Sequence, residues 1–101
     1  MTNLSNYFSK RKTVAFIYPT HETALTACCD FVLSKEGLSL HKRRMDIEDK
    51  ESGFIYSFSG QENAISRFCG AELYAVHFLI KDCQLDQDVY RYMLTRVRWS
   101  L

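Results

Sequence analysis

The sequence predicts an α+β fold in which helices cover one face of an open antiparallel sheet. Two segments, Thr13 to Tyr18 and Phe54 to Phe58, alternate as β-strands do, and apolar residues recur at helical spacing between them. The chain has 101 residues, of which 47% are hydrophobic, and this suits one domain with a small core. We expect a basic N-terminal arm, residues 1–12, followed by a single folded domain, residues 13–101.

The first strand and the first helix have the clearest patterns. The apolar side chains of the strand divide between two faces, with Val14, Phe16 and Tyr18 on one and Ala15 and Ile17 on the other. A strand that is apolar on both faces is typical of the centre of a sheet. Pro19 ends this strand, Thr20 can cap a helix, and Gly37 can end it, so residues 20–36 are predicted to be helical.

A β-hairpin is expected next. Residues 38–49 alternate less regularly and carry many polar side chains, which is typical of an edge strand. Lys50-Glu51-Ser52-Gly53 has the composition of a turn. Phe54 to Phe58 then forms the second strand, with Phe54, Tyr56 and Phe58 on one face.

The region after Gly60 allows two interpretations. In one, a helix runs from Gln61 through Gly70 to about Gln84, and residues 89–99 form the last strand. In the other, residues 72–80 are a strand and residues 85–98 a closing helix. Leu85, Val89, Met93 and Val97 are spaced four apart as in a helix, whereas the aromatic and β-branched content of this stretch favours a strand.

The charges are segregated along the chain. The net charge is +1, but residues 1–44 carry +4, residues 45–88 carry −6 and residues 89–101 carry +3. Such blocks predict a molecule with a basic side and an acidic side. Basic residues also lie near aromatic ones, a combination that suits phosphate binding and stacking on bases. We therefore expect a nucleic-acid partner, with solvated strand edges as the alternative.

Signals for catalysis or metal binding are weak. The three histidines are far apart, and no cysteine pair has the spacing of a zinc site. The four cysteines are expected to be reduced, partly buried thiols. No apolar run is long enough to cross a membrane. We expect a protein that is not an enzyme and needs no cofactor, and an enzyme that uses Cys28 or Cys83 is a distant alternative.

Two stretches carry a resemblance to a known family. Leu85 to Val97 resembles the last strand of small-subunit ribosomal protein six, bacterial and organellar type, in which an LDxDVxRY entry leads into an apolar strand. Lys42-Arg43-Arg44-Met45 and Gly53 to Phe58 are similar to the second and third strands of that family. The resemblance covers about residues 12 to 99. A short hairpin, a long 61–87 region and a basic arm depart from the usual pattern and suggest a mitochondrial member.

The resemblance implies a ferredoxin-like split βαβ fold. Its four-stranded antiparallel sheet would have the order 4-1-3-2, with two helices on one face and a strand at 89–99. It also implies a structural constituent of the small ribosomal subunit, located in the mitochondrial ribosome, with the bacterial cytoplasm or a plastid as alternatives. The implied partners are the central domain of small-subunit rRNA, small-subunit ribosomal protein eighteen and other ribosomal proteins, with no membrane.

The candidate site residues follow from the basic clusters and from this resemblance. The RNA-binding candidates are Lys10, Arg11, Lys12, Lys42, Arg43, Arg44, Arg91, Arg96 and Arg98. The candidates for contact with a protein partner are Tyr90, Tyr92 and Trp99. In the implied sheet order, Arg96 and Arg98 lie beside the basic arm and form a basic edge with it.

A second function is compatible with the sequence. The chain could be a stand-alone ferredoxin-like module that binds a small ligand or dimerises through its sheet. That interpretation takes residues 72–80 as a strand and residues 85–98 as a helix.

Overall fold

The computed structural model describes residues 12–34, 38–41, 45–49 and 52–97 of the chain. Within these residues the fold is α+β, with five strands, three α-helices and one 3₁₀ turn. The elements are β1 (Lys12–Tyr18), α1 (His21–Ser34), β2 (Leu38–His41), β3 (Asp46–Asp49), β4 (Phe54–Gly60), α2 (Gln61–Arg67), β5 (Ala75–Phe78), the 3₁₀ turn (Asp82–Gln84) and α3 (Gln87–Arg96).

The predicted strand at 13–18 and the helix after Thr20 are confirmed as β1 and α1, and the predicted end of that helix at Gly37 lies outside the described residues. Thr20 and Thr23 form a reciprocal cap before the first turn of α1, because the backbone N–H of each donates to the hydroxyl of the other at 3.2 Å. Ala24 and Cys28 are buried against the sheet, whereas Leu25 and Cys29 are exposed. The buried face of α1 is therefore narrow, with Ala24 and Cys28 one helical turn apart.

The predicted hairpin is a three-stranded meander. β2 pairs antiparallel with β3, and β3 pairs antiparallel with β4. Met45 lies between β2 and β3 with a φ of 53°, a left-handed conformation that interrupts the single edge strand expected over residues 38–49. Lys42, Arg43 and Arg44 lie in this connection, outside the described residues.

The sheet is mixed, with the strand order β2-β3-β4-β1-β5. β1 is parallel to both β4 and β5, so the predicted antiparallel sheet in the order 4-1-3-2 is wrong. The reason is that α1 and α2 each carry the chain back to the end of the sheet where the preceding strand began. The next strand therefore runs in the same direction as the preceding one. The central position expected for β1 is confirmed, since β1 lies between β4 and β5.

Helices cover both faces of the sheet. Ala15 and Ile17 of β1 pack with Ala64 of α2 and with Val89 and Met93 of α3. The intervening residues of β1, Phe16 and Tyr18, pack with Phe58 of β4 and with Ala24 and Cys28 of α1. Because successive strand residues point to opposite faces, α1 lies on one face and α2 and α3 lie on the other. The prediction that helices cover only one face of the sheet is therefore wrong, because α1 and α2 lie on opposite faces.

The structure resolves the two interpretations of the region after Gly60 in favour of the second. α2 ends at Arg67, and Gly70 adopts a φ of 76°, a conformation that favours glycine and stops the helix from continuing. The apolar run that follows contains β5, which pairs with β1 from Val14 to Ile17. A helix through Gly70 to Gln84 is therefore wrong.

The predicted strand at 89–99 is also wrong, because residues 87–96 form α3. Asp86 caps this helix, its carboxylate accepting hydrogen bonds from the backbone N–H groups of Asp88 and Val89. Val89 and Met93, one turn apart, are buried against the core. The four-residue apolar spacing therefore prevails over the strand propensity of this stretch.

Candidate nucleic-acid interface

The N-terminal ends of three parallel strands, β4, β1 and β5, lie side by side at one end of the sheet. In the register of β1 and β4, Lys12 lies beside Phe54. On the other side of β1, the backbone N–H of Tyr74 donates to the carbonyl of Thr13 at 2.8 Å, just before β5 begins. The parallel directions of β4, β1 and β5 thus bring Lys12, Phe54 and Tyr74 together, although they are far apart in the sequence.

The ammonium group of Lys12 lies against two aromatic rings. Its Nζ is 5.5 Å from the ring centroid of Phe54 and 5.2 Å from that of Tyr74. The two rings meet edge to face, with centroids 5.3 Å apart and planes at 70°. Both distances fall within the range of a cation–π contact. Lys12 is exposed and Tyr74 is 45% exposed, so an exposed cation and an exposed aromatic ring lie side by side.

The end of α3 supplies a second pair of a cation and a ring. The guanidinium carbon of Arg96 lies 5.4 Å from the ring centroid of Tyr92. The carbonyl of Arg96 accepts a hydrogen bond from the backbone N–H of Leu73 at 2.8 Å, and Val97 forms a parallel bridge with Leu73. The backbone at Val97 is therefore about two interstrand spacings, roughly 10 Å, from the start of β1.

The charge at this edge is mixed among the described residues and basic in the segments attached to them. Lys12 and Arg96 are accompanied by Asp49 and Glu72. The sequence joins Lys10-Arg11 directly to Lys12, and Arg98 directly to Val97, and it has no acidic residue before Glu22 or after Asp88. The attached segments thus add basic residues and no acidic ones.

The sheet face beside this edge also exposes aromatic rings. The imidazole of His77 stacks on the ring of Phe16, with centroids 5.2 Å apart and planes at 18°. His77 is exposed. Among the described elements α1 packs mainly on β4, and none of them covers His77 on β5. Flat rings at an open sheet face can stack with nucleic-acid bases.

The structure brings together only some of the predicted site residues. Lys12 and Arg96 lie at the same edge of the molecule, as the basic-edge hypothesis expected, although Arg96 ends a helix rather than a strand. Arg91 is exposed in the middle of α3, Tyr90 packs against Phe78 at a centroid distance of 5.0 Å, and Tyr92 is half-buried beside the core. The other predicted residues lie outside the described residues, and they are Lys10, Arg11, Lys42, Arg43, Arg44, Arg98 and Trp99.

Sequence reasoning missed Phe54 and Tyr74. Phe54 was assigned to a strand with no function, and Tyr74 lay in the apolar run whose structure was left open. Their proximity to Lys12 depends on the parallel pairing of β1 with β4 and β5. The sequence signal for that pairing is the presence of apolar residues on both faces of β1, which is typical of parallel strands.

Other chemistry is limited in the part of the chain that the structure describes. Burial is the main cause that raises the pKa of the Cys28 thiol to about 11, with smaller contributions from Cys29 and Asp46, so Cys28 is not an activated nucleophile. Cys69 and Cys83 are exposed, contrary to the expectation of partly buried thiols. The described residues hold no group of three His, Cys, Asp or Glu side chains that could bind a metal ion.

Comparisons with known proteins identify no relative. Scans against protein-family models and searches of curated proteins and of solved structures gave no significant match to this chain. Among the described residues, no helix is long and apolar enough to cross a membrane.

Proposed function

We propose that this chain is a nucleic-acid-binding protein that contacts single-stranded RNA through the cationic and aromatic edge formed by Lys12, Phe54 and Tyr74. The observation that carries the proposal is the contact of the Lys12 ammonium with two adjoining rings, one of which is 45% exposed. An ammonium group attracts phosphate, and an exposed ring gives a base a surface on which to stack.

The nearby basic residues extend this surface. Arg96 lies at the same end of the sheet, and the sequence continues with further basic residues directly before Lys12 and directly after Val97. Affinity in such a site comes mainly from phosphate neutralisation and stacking, and it depends little on base sequence. We therefore expect binding that is strongly salt-dependent and only weakly sequence-dependent.

A binding titration with matched variants tests this proposal. Fluorescence anisotropy of a labelled oligouridine would be followed as salt increases, with Lys12→Ala compared against Lys81→Ala. Lys81→Ala is the control because Lys81 is also an exposed lysine, but it lies beyond the C-terminal end of β5, away from Lys12. Removal of one phosphate contact lowers the slope of log K against log salt by roughly 0.7 for a single strand. We expect this decrease for Lys12→Ala only, and equal slopes in both variants would reject the site.

The aromatic part of the site has its own test. Loss of one stacked base costs about 1–3 kcal/mol, or roughly 5- to 150-fold in affinity. Tyr74→Leu should weaken oligouridine binding within this range, while Tyr90→Leu, which removes a tyrosine from α3, should not. Equal affinities for Tyr74→Leu and the wild type would reject stacking on Tyr74 and would mean that binding depends on phosphate contacts only.

A more specific proposal is a constituent of the small ribosomal subunit, in mitochondria, next to rRNA and ribosomal protein eighteen. Its support is the sequence resemblance of residues 85–97, 42–45 and 53–58 alone. The structure counts against it, because the segment that resembles that family's last strand is a helix in this chain. Co-sedimentation with purified small subunits tests it. A chain that binds oligouridine but does not sediment with the subunits would reject the ribosomal role and keep the nucleic-acid proposal.

A further inference from the structure

The ammonium group of Lys12 occupies the angle between the rings of Phe54 and Tyr74. Its distances to the two ring centroids, 5.5 Å and 5.2 Å, nearly equal the 5.3 Å between the centroids, so the three groups form an almost equilateral triangle. The two ring planes meet at 70°. A group that lies in this angle touches both rings at once, and in the free protein that group is the Lys12 ammonium.

A nucleic-acid base would make its largest aromatic contact in the same angle. A base stacked there on one ring meets the other ring edge to face, and both arrangements are favourable for aromatic groups. Outside the angle a base contacts a single ring. The ammonium and a base therefore need the same position, and the arrangement seen in the free protein is not the one that binds a base.

A phosphate next to the base removes this conflict. Lys12 is exposed, and its four-carbon side chain is flexible enough to turn its ammonium toward a new partner. The contact that it leaves is weak, because a cation–π interaction at an exposed site stabilises by only a small amount. A phosphate offers the ammonium a full negative charge instead. A ligand that brings a phosphate and a base together can therefore take both the cation and the rings.

We propose that Lys12 exchanges partners when RNA binds: its ammonium leaves Phe54 and Tyr74 for a phosphate, and a base takes its place between the rings. This inference rests on the proposed function and adds what the site selects. The recognised unit is a base with an adjacent phosphate, and Lys12 discriminates against a neutral nucleoside and against a polyanion that has no bases.

A double-mutant cycle of Lys12→Ala and Tyr74→Leu measures the exchange through the affinity for labelled oligouridine. In the wild type the Lys12–Tyr74 contact must break on binding, so each single substitution also removes this obstacle and part of its loss is offset. The double variant removes the obstacle only once. Its loss of affinity should therefore exceed the product of the two single losses by about 2- to 5-fold, the value of an exposed cation–π contact.

The sign of this coupling separates the possible outcomes. A double loss equal to the product means that the contact survives binding, and a smaller double loss means that RNA strengthens it. Either result overturns the exchange, while the single losses would still support the nucleic-acid site. If neither single substitution weakens binding, the nucleic-acid proposal itself is rejected. Lys81→Ala combined with Tyr74→Leu is the control cycle and should show no coupling, and circular dichroism verifies that all variants are folded.

Proton chemical shifts of the Lys12 side chain report the exchange directly. In the free protein the ring currents of Phe54 and Tyr74 should move the ε-methylene signal of Lys12 upfield, and Tyr74→Leu should reduce this shift. Addition of oligouridine should return the signal to the position of a lysine that lies away from rings. A Lys12 signal that stays upfield with oligouridine in excess would overturn the exchange.

Discussion

Replacement of Asp86 tests whether residues 87–96 are helical. Its carboxylate accepts hydrogen bonds from the N–H groups of Asp88, at 2.9 Å, and Val89, at 3.4 Å. Loss of such a cap costs about 1 kcal/mol, and in a domain of this size 1 kcal/mol lowers Tm by roughly 4–8 °C. We therefore expect Asp86→Ala to unfold several degrees below the wild type. A strand would lose no cap, since it has no helix N-terminus to satisfy.

Asp86→Asn separates the hydrogen bonds from the charge. Asn caps helices as well as Asp does, but it lacks the negative charge, which contributes roughly 0.3–1 kcal/mol at a helix N-terminus. Asp86→Asn should therefore lose less stability than Asp86→Ala. Its remaining deficit should shrink at high salt, because salt screens the interaction of the charge with the helix dipole.

Thermal and urea unfolding followed by circular dichroism measures these changes. Asp82→Ala is the control, because Asp82 is also an exposed aspartate just before α3 and the 3₁₀ turn it begins has no side-chain cap. The control should stay within about 0.5 kcal/mol of the wild type. An unchanged Tm in Asp86→Ala, or equal losses in the Ala and Asn variants, would refute the capping argument.

Three further predictions concern the core, a close backbone contact and a buried thiol. Met93→Ala should cost about 2–5 kcal/mol in urea unfolding, because Met93 is 0% exposed, and a loss below about 1 kcal/mol would contradict its burial. Gly60→Ala should destabilise by at least about 1 kcal/mol in the same assay, because a Cβ there would lie 2.5 Å from the carbonyl carbon of Thr20, and a neutral effect would contradict this contact. Iodoacetamide at pH 8 should modify Cys29 well before Cys28 in peptide mass spectrometry, since burial raises the pKa of Cys28 to about 11, and equal rates would contradict its burial.

The first half of the fold could be predicted because its signals are local. β1 alternates without interruption, and Pro19 and Thr20 mark where α1 begins. The apolar residues on both faces of β1 are also typical of a parallel strand with helices on both sides, which the structure has. The same pattern is therefore consistent with both the interior position of β1 and the helices on its two faces.

The second half depends on contacts that the sequence does not reveal. Val89 and Met93 fit either a helix or a strand, and their burial under α2 and against β1 favours the helix. Asp86, a residue type that caps helices, stands directly before this spacing and is a local signal for the helix, whereas the strand at 89–99 was what the family resemblance implied. The pairing of Lys12 with Phe54 and Tyr74 depends on strand order, which no local pattern determines.

An NMR titration of the isotope-labelled chain with a single-stranded oligouridine tests the proposed interface most directly. The proposal predicts that the amide signals of Lys12, Phe54 and Tyr74 shift as the oligonucleotide is added, while those of Leu25 on α1 and of Lys81 beyond β5 do not. Shifts confined to Leu25 and Lys81, or no shift at Lys12, Phe54 and Tyr74 with the oligonucleotide in excess, would contradict it.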